Sequence, residues 1–186
     1  MTDGQRKELM KLREQDMDWL DSHGYYQDVC SDVWGSIVYG HNVFVELNDN
    51  CEWSVTVTDK DISIDDMDKE RIAYTNYGTC KEQVLHVENC LWRWYGKDRE
   101  YEGVSLIDCA FDPPVVQHDF EIHIFMDDNN KMSIMAESPK KALDKELFKP
   151  FGTNVFKGHT LRDMLFGMDV TLNSPLALEL YKRNKR

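Results

Sequence analysis

The chain has 186 residues, of which 41% are hydrophobic, and its 34 aspartates and glutamates outnumber 22 lysines and arginines, for a formal charge of −12. A chain of this length buries about 70% of its unfolded surface as one domain, so neither a metal nor a disulfide is needed to hold its core. The acidic balance argues against direct binding of nucleic acid, because that binding depends on neutralised phosphates. No apolar run approaches the roughly 18 residues of a membrane span, and no cofactor is expected.

Cysteine usage and the start of the chain predict a reducing, cytoplasmic setting. The five cysteines are an odd number without a C-x-x-C pair, and the chain opens with charged residues in place of a basic-then-apolar signal. Charge is unevenly placed, since residues 1–138 hold 12 basic and 29 acidic residues while residues 139–186 hold 10 and 5. We therefore expect a single domain over 1–186, with an acidic α+β body over 1–138 and a basic helical C-terminal section over 139–186.

The first predicted element is a helix over residues 4–22 that ends before Gly24. Its irregular apolar side is formed by Leu9, Leu12, Met17 and Leu20. The stretch YYQDVCSDV that follows is compatible with either a short helix or an irregular connection.

Residues 33–58 give the clearest β pattern and predict a three-stranded antiparallel meander. A two-residue loop at 40–41 suits the first hairpin and pairs Val38 with Val43. The residues expected to share the core face of the meander are Trp34, Val38, Val43, Val45, Leu47, Trp53, Val55 and Val57.

The second turn of the meander is predicted as a three-residue loop at 48–50, which pairs Leu47 with Cys51. Both turn predictions place the same residues on the core face. That agreement supports one buried face and one mixed face.

Residues 59–70 form an acidic stretch in which Ile62 and Ile64 alternate with polar residues. This pattern predicts either a short edge strand or a loop that leads into RIAYTNY. Carboxylates spaced along a sheet edge can imitate a row of phosphates to a protein built to bind nucleic acid; the same charges are also typical of protection against edge-to-edge pairing. The acidic residues are Asp59, Asp61, Asp65, Asp66, Asp68 and Glu70.

The chain is expected to be organised around an amphipathic helix over residues 79–96. Thr79 and Glu82 match the capping box S/T-x-x-E, and Gly96 is the expected stop. A second, smaller stripe of Leu85 and Trp92 needs another layer or a partner. The core stripe consists of Cys80, Val84, Val87, Leu91 and Trp94.

After this helix the pattern predicts a central strand over 102–111 and a hairpin with a three-residue loop at 128–130. That loop makes Met126 oppose Met132. Three helices follow, the first carrying Ala142, Leu143, Leu147 and Phe148, the second Leu161, Leu165 and Phe166, and the third Leu176, Leu178 and Leu180. Their predicted starts are Ser138-Pro139, Thr160 and Ser174-Pro175. The expected fold is α+β, mainly an antiparallel sheet packed on helices.

The best candidate for metal or acid-base chemistry is the run Asp119-x-Glu121-x-His123. Period-two geometry puts all three side chains on one face of a strand, as a divalent cation in a hydrolase or nuclease requires. The same pattern is what a half-buried antiparallel strand presents to water, and that structural reading is favoured.

Nucleophilic catalysis has weaker support. Cys80 lies on the core stripe, and Cys90 borders it four residues after His86, so a buried structural thiol is favoured at both positions. The chain holds no G-x-S-x-G, G-x-x-x-x-G-K-[ST] or G-x-G-x-x-G motif. The sequence therefore favours a protein that is not an enzyme.

The remaining features are interaction features. The hypothesis is a non-enzymatic binder that uses the acidic stretch, with Trp92 as an apolar anchor, to block a basic nucleic-acid-handling surface on a partner protein. The composition of the chain is typical of inhibitors carried by phages and mobile elements and of immunity proteins. The rival is a metal-dependent hydrolase at Asp119, Glu121 and His123, and a third reading is a structural subunit. For the basic tail over 181–186 the sequence leaves four alternatives: it pairs with the acidic body, contacts a neighbouring molecule, contacts nucleic acid or is a solvated terminus.

Overall fold

The computed structural model describes residues 3–48, 52–96, 120–126, 128, 131–138, 141–149 and 153–184. The helices are α1 (Asp3–Ser22), α2 (Cys80–Tyr95), α3 (Lys141–Leu147), α4 (Leu161–Leu172) and α5 (Pro175–Asn184). The strands are β1 (Tyr26–Gln27), β2 (Val33–Val38), β3 (His41–Leu47), β4 (Trp53–Asp59), β5 (Arg71–Thr75), β6 (Glu121–Met126), β7 (Met132–Glu137) and β8 (Val155–Phe156). The predicted α+β class, with antiparallel sheets and a helical C-terminal section, is confirmed.

The strands form two sheets around one hydrophobic core. The larger sheet has the order β1-β2-β3-β4-β5 and the smaller has the order β6-β7-β8. Helix α4 packs against β5, β7, β8 and α2, so it joins the two sheets. Across the described ranges, no helix combines the length and the apolar content that a bilayer crossing requires.

Helix α1 confirms the N-terminal prediction, although its apolar side is narrower than expected. Leu20 is fully buried and Met17 is partly buried, whereas Leu12 is 56% exposed. Gly24 follows the helix with a φ of 89°, a backbone conformation that costs glycine little. The stretch that the sequence left open contains β1 and a turn.

The first hairpin of the meander has a different turn from the predicted one. Tyr39 and Gly40 form the two-residue loop with φ values of 48° and 82°, and Val38 pairs with His41. The prediction of a loop at 40–41 was wrong because two consecutive positive φ angles, which match the twist of the strands, fall on Tyr39 and Gly40. The register moves by two residues, so every side chain keeps its predicted face.

The second turn is longer than predicted. Leu47 pairs with Trp53, and the Asn48 side chain caps the turn through its Oδ1, which accepts from the Glu52 backbone N–H at 3.0 Å. The three-residue loop at 48–50 was therefore wrong, because the Asn48 side chain closes a wider turn. Again the shift is two residues, and the predicted core-face residues of β2 to β4 are buried or partly buried.

Helix α2 matches its prediction closely. The Thr79 hydroxyl accepts from the Glu82 backbone N–H, and the Glu82 carboxylate accepts from the Thr79 backbone N–H, so the capping box is complete. All five residues of the predicted core stripe have no exposed surface. Burying them contributes roughly 10 kcal/mol before the entropy cost of folding.

The C-terminal half confirms most of its predictions. Met126 pairs with Met132 in the β6–β7 hairpin, and Thr160 caps α4 through a second capping box with Asp163. Leu147 and Phe148 are buried as expected, but Leu161 is 36% exposed because it lies in the first turn of α4, beyond the packed surface. The predicted strand over 102–111 and the side chains of Ala142 and Leu143 lie outside the described residues.

Helix α4 crosses β5 at unusually short range. A Cβ atom placed on Gly167 would lie 2.3 Å from the backbone oxygen of Ile72. Only glycine leaves room for this contact, and it brings the helix down onto the edge of the larger sheet. The packing of the two sheets around α4 therefore depends on this residue.

Candidate protein-binding surface

The acidic residues 59–70, here called the acidic loop, connect β4 to β5. Ile64–Asp66 form one turn of 3₁₀ helix in its middle. The predicted edge strand at Ile62 and Ile64 was wrong, and the predicted loop was right. The segment turns back on itself because its backbone carbonyl groups accept hydrogen bonds from N–H groups of the loop and from a side chain of β3.

That side chain is Asn42, which holds the start of the acidic loop in place. Its Nδ2 atom lies 3.3 Å from the backbone oxygen of Asp59, 3.1 Å from that of Lys60 and 2.9 Å from that of Ile62. One amide group thus fixes the backbone of Asp59, Lys60 and Ile62 to the sheet. No sequence motif marks Asn42, and its role was missed.

We expect Asn42→Ala to loosen the acidic loop without disrupting the sheet. The variant loses hydrogen bonds of about 1 kcal/mol net each, so the free energy of unfolding should fall by about 1–2 kcal/mol. Hydrogen exchange should accelerate at amides of residues 60–70 and stay unchanged in β3 and β4. Asn154→Ala is the matched control, because the Asn154 amide donates to the backbone carbonyl of Ala136 in β7 and not to a carbonyl of the loop. Unchanged exchange in the loop would contradict the anchoring role.

The acidic loop presents most of its carboxylates to solvent. Asp61, Asp65, Asp66, Asp68 and Glu70 are exposed and Asp59 is partly exposed, while the Met67 side chain is buried and anchors the loop. One ion pair neutralises part of the charge, because Lys69 Nζ lies 3.1 Å from Asp66 Oδ1. His159 Nε2 also lies 3.3 Å from Asp59 Oδ2. In the described part of the chain, no ion pair joins Asp61, Asp65, Asp68 or Glu70 to a basic side chain. A net negative field remains over the loop.

The C-terminal end of α2 lies beside the start of this loop. The Tyr95 hydroxyl donates to Asp163 Oδ1 at 2.7 Å, and its ring centroid lies 4.1 Å from that of His41, the first residue of β3. Burial, the Asp163 carboxylate and, more weakly, Asp59 raise the pKa of Tyr95. These contacts fix α2, β3 and α4 to one another next to Asp59.

Trp92 lies one turn before Tyr95 on the same helix and is 53% exposed. The sequence predicts Trp92 as an apolar anchor for a partner, a role that requires an exposed side chain. Leu85, the other member of that stripe, is partly buried. About half of the surface of Trp92 is therefore accessible near the C-terminal end of α2.

The basic tail, as far as residue 184, lies on α5. The acidic loop enters β5 at Arg71, whereas α5 contacts the residues that follow β5, through the Tyr77 hydroxyl and the Glu179 carboxylate. Glu179 also pairs with Arg183 in the last turn of α5. In the described residues, the start of the basic tail does not fold back onto the acidic loop.

The alternative metal site is incomplete in the described residues. Asp119 lies outside them, and the side chains of Glu121 and His123 are 69% and 48% exposed, with 3.8 Å between Glu121 Oε2 and His123 Nε2. No group of three acidic, histidine or cysteine side chains suited to a metal occurs in that part of the chain. The site at Asp119, Glu121 and His123 stays a prediction.

The two cysteines of α2 are buried thiols. Burial raises the pKa of Cys80 to about 12 and holds that of Cys90 well above its usual range. His86 Nε2 lies 3.9 Å from the Cys90 sulfur and 2.9 Å from the Val170 backbone oxygen, and burial lowers the pKa of His86. Both thiols have no exposed surface and a raised pKa, so these cysteines are packing residues.

A fully buried carboxylate beside them was not predicted. Asp169 of α4 accepts from Arg93 Nη1 at 3.1 and 3.0 Å and from Trp94 Nε1 at 2.8 Å. The Asn173 amide bonds the same carboxylate. Burial raises the pKa of Asp169 to about 6, against the opposing effect of Arg93. This network joins α4 to α2, and it lies in the interior, away from the acidic loop.

Comparison with known proteins identifies no relative. No family model matches the sequence, and neither the curated proteins nor the solved structures give a match. Any functional argument therefore depends on the residues described above.

Proposed function

We propose that this protein is a non-enzymatic binding protein whose acidic loop occupies a basic, nucleic-acid-handling surface of a partner protein. The observation that carries this proposal is a fixed, exposed loop with six acidic residues and only two lysines. Its composition fits an inhibitor of the kind carried by phages or mobile elements, or an immunity protein. Such a protein competes with nucleic acid by presenting carboxylates where phosphates would bind.

The way in which Asn42 holds the loop favours binding. A loop that is already ordered loses less conformational entropy when a partner binds, so more of its electrostatic attraction appears as affinity. Exposed carboxylates accept charge-assisted hydrogen bonds, and arginine can bind them with two parallel bonds. Long-range attraction between opposite charges also accelerates association.

Trp92 supplies an apolar contact at the border of the same surface. Tryptophan is enriched among the residues that dominate binding energy at protein interfaces. An exposed indole beside a negative field suits a partner surface in which apolar side chains adjoin arginine or lysine. Trp92 is therefore part of the proposed surface.

Charge reversal tests the proposal. The tagged protein is used to capture partners from its host's lysate at low and at about 0.5 M salt, because the screening length shrinks to a few ångströms as salt rises. We expect a stoichiometric basic, nucleic-acid-binding partner that salt releases. The variant Asp61→Lys, Asp65→Lys, Asp66→Lys, Asp68→Lys should lose this capture while its circular dichroism and thermal unfolding stay unchanged.

A matched variant controls for total charge. Reversing the exposed residues Glu14, Asp18, Asp21 and Glu137 to lysine changes the net charge equally but leaves the acidic loop intact. It should retain capture, and an oligonucleotide should compete with the wild-type protein for the partner. Capture that survives reversal of the loop would refute the electrostatic account. Absence of a partner at either salt would direct attention to metal analysis of Asp119, Glu121 and His123.

A further inference from the structure

The face of the larger sheet that points away from the core carries a row of aromatic side chains. Each of the five strands contributes one residue to this row, because directly opposed residues share a face of a sheet. Val43 and Val45, the neighbours of the β3 member, are fully buried on the core side. The row consists of Tyr26, Gly35, Phe44, Thr56 and Tyr74. We call this side of the sheet the aromatic face.

The aromatic face is accessible at its β1–β3 end. A Cβ atom placed on Gly35 would lie 3.6 Å from the Phe44 ring, so this ring lies beside the bare Gly35 backbone. Tyr26 is 75% exposed, and Ile37, two residues after Gly35 on the same face, is 70% exposed. The strand register makes Ile37 a diagonal neighbour of both Tyr26 and Phe44. Large apolar side chains grouped on a surface in this way are typical of a binding site.

The aromatic face is continuous with the acidic loop. Ile37 is paired with Asn42 in the β2–β3 hairpin, and the Asn42 side chain donates to backbone oxygens of the loop. Asn42 is paired in turn with Thr58, and the loop begins at the next residue, Asp59. A partner that contacts the start of the loop therefore also meets the apolar cluster around Ile37.

The β5 end of the row already holds a guanidinium group of the protein itself. The Cζ atom of Arg71 lies 5.0 Å from the centroid of the Tyr74 ring. Arginine suits such a contact because its planar, weakly hydrated cation stacks on aromatic rings. The formal charge of −12 attracts cations, whereas it repels nucleic acid and a second copy of this chain. The aromatic rings and the acidic loop therefore both suit arginine.

We propose that the aromatic face binds arginine side chains of the basic partner, with their guanidinium groups stacked on Tyr26 and Phe44 while neighbouring cations pair with the acidic loop. The proposal rests on the proposed function for the charge of the partner, and it adds the residue type that the surface selects. Lysine carries the same charge without a planar group, so it pairs with the loop but stacks less well on the rings.

The probes are two peptides of equal charge, (Arg-Gly)₆ and (Lys-Gly)₆, each with an N-terminal fluorescein and an amidated C-terminus. Binding to the full-length protein is followed by fluorescence anisotropy at about 0.1 M salt, where the Debye length is about 10 Å. The test variant, Tyr26→Leu with Phe44→Leu, removes two rings but keeps apolar side chains. Tyr26→Leu alone repeats the test at an exposed position that the fold does not need. Tyr26→Phe is the matched control, because it keeps the ring.

The wild-type protein should bind (Arg-Gly)₆ about threefold to tenfold more tightly than (Lys-Gly)₆, as one or two cation–π contacts would give. The double variant should lose most of this preference, Tyr26→Leu should lose part of it, and Tyr26→Phe should keep it. The fourfold charge reversal of the acidic loop should weaken binding of both peptides and leave the preference for arginine in place.

The two proposals fail in different ways. If the loop reversal weakens neither peptide, the loop is not the electrostatic site and the proposed function fails. If the loop reversal weakens both peptides but the leucine variants keep the full preference for arginine, the preference comes from the carboxylates and stacking on the aromatic face is refuted. Sedimentation that shows self-association of the wild-type protein, abolished by Tyr26→Leu, would mean that a second copy covers this face and would also overturn the proposal.

Discussion

Replacing Asp169 with alanine is expected to lower the free energy of unfolding by about 3–5 kcal/mol, the cost typical of breaking a buried ion pair. The Asp169 side chain is fully buried and the Arg93 side chain is only 17% exposed. Removing the carboxylate takes away the buried acceptor that the guanidinium and the Trp94 N–H share. The loss should appear in urea unfolding followed by circular dichroism. Asp21→Ala, an exposed aspartate, should change stability by less than about 0.5 kcal/mol.

Titration provides a second readout for Asp169. Burial raises its pKa to about 6 in the folded protein, and an unfolded aspartate titrates near 3.9. The folded state therefore binds more protons between about pH 4 and 6, and the contribution of this carboxyl to stability, present below pH 4, is lost as the pH rises to about 6. Wild-type protein should lose stability relative to Asp169→Asn across that window. Parallel pH profiles, or a small effect of Asp169→Ala, would contradict the role given to this network.

Gly167→Ala is expected to destabilise the fold by about 1–3 kcal/mol, as overpacking does. In an exposed helix interior the same change would stabilise by about 1 kcal/mol, since alanine has the higher helix propensity. Here the new Cβ would lie 2.3 Å from the Ile72 backbone oxygen, so α4 and β5 must move apart. The clash is expected to outweigh the gain in propensity.

Gly35→Ala is the control for this prediction. A Cβ at Gly35 would meet the Phe44 ring at 3.6 Å, an ordinary van der Waals distance, so the variant should be tolerated. Thermal and urea unfolding of both variants would give the comparison. A stabilised Gly167→Ala variant would mean that α4 does not approach β5 as closely as described.

Local patterns in the sequence determined the elements and their buried faces. The capping box of Thr79 and Glu82 and the apolar stripe of α2 depend on neighbours within one or two helical turns, and the pairing of Met126 with Met132 depends on a short loop. These signals are short-range, so the sequence carries them directly. The predicted core face of the meander was also correct, because both errors in the turns shifted the register by an even number of residues.

Only the tertiary structure decided the turns, the shape of the acidic loop and the interior network. Tyr39 adopts a positive φ that matches the twist of the strands, and this conformation cannot be predicted from the residue type. Asn42 contacts a backbone oxygen 20 residues away, and Arg93 meets Asp169 across 76 residues. Such contacts depend on which distant surfaces the core brings together. The sequence by itself determined which residues are acidic, apolar and helical, and the packing of α2 and α4 on the sheet decided which of them meet.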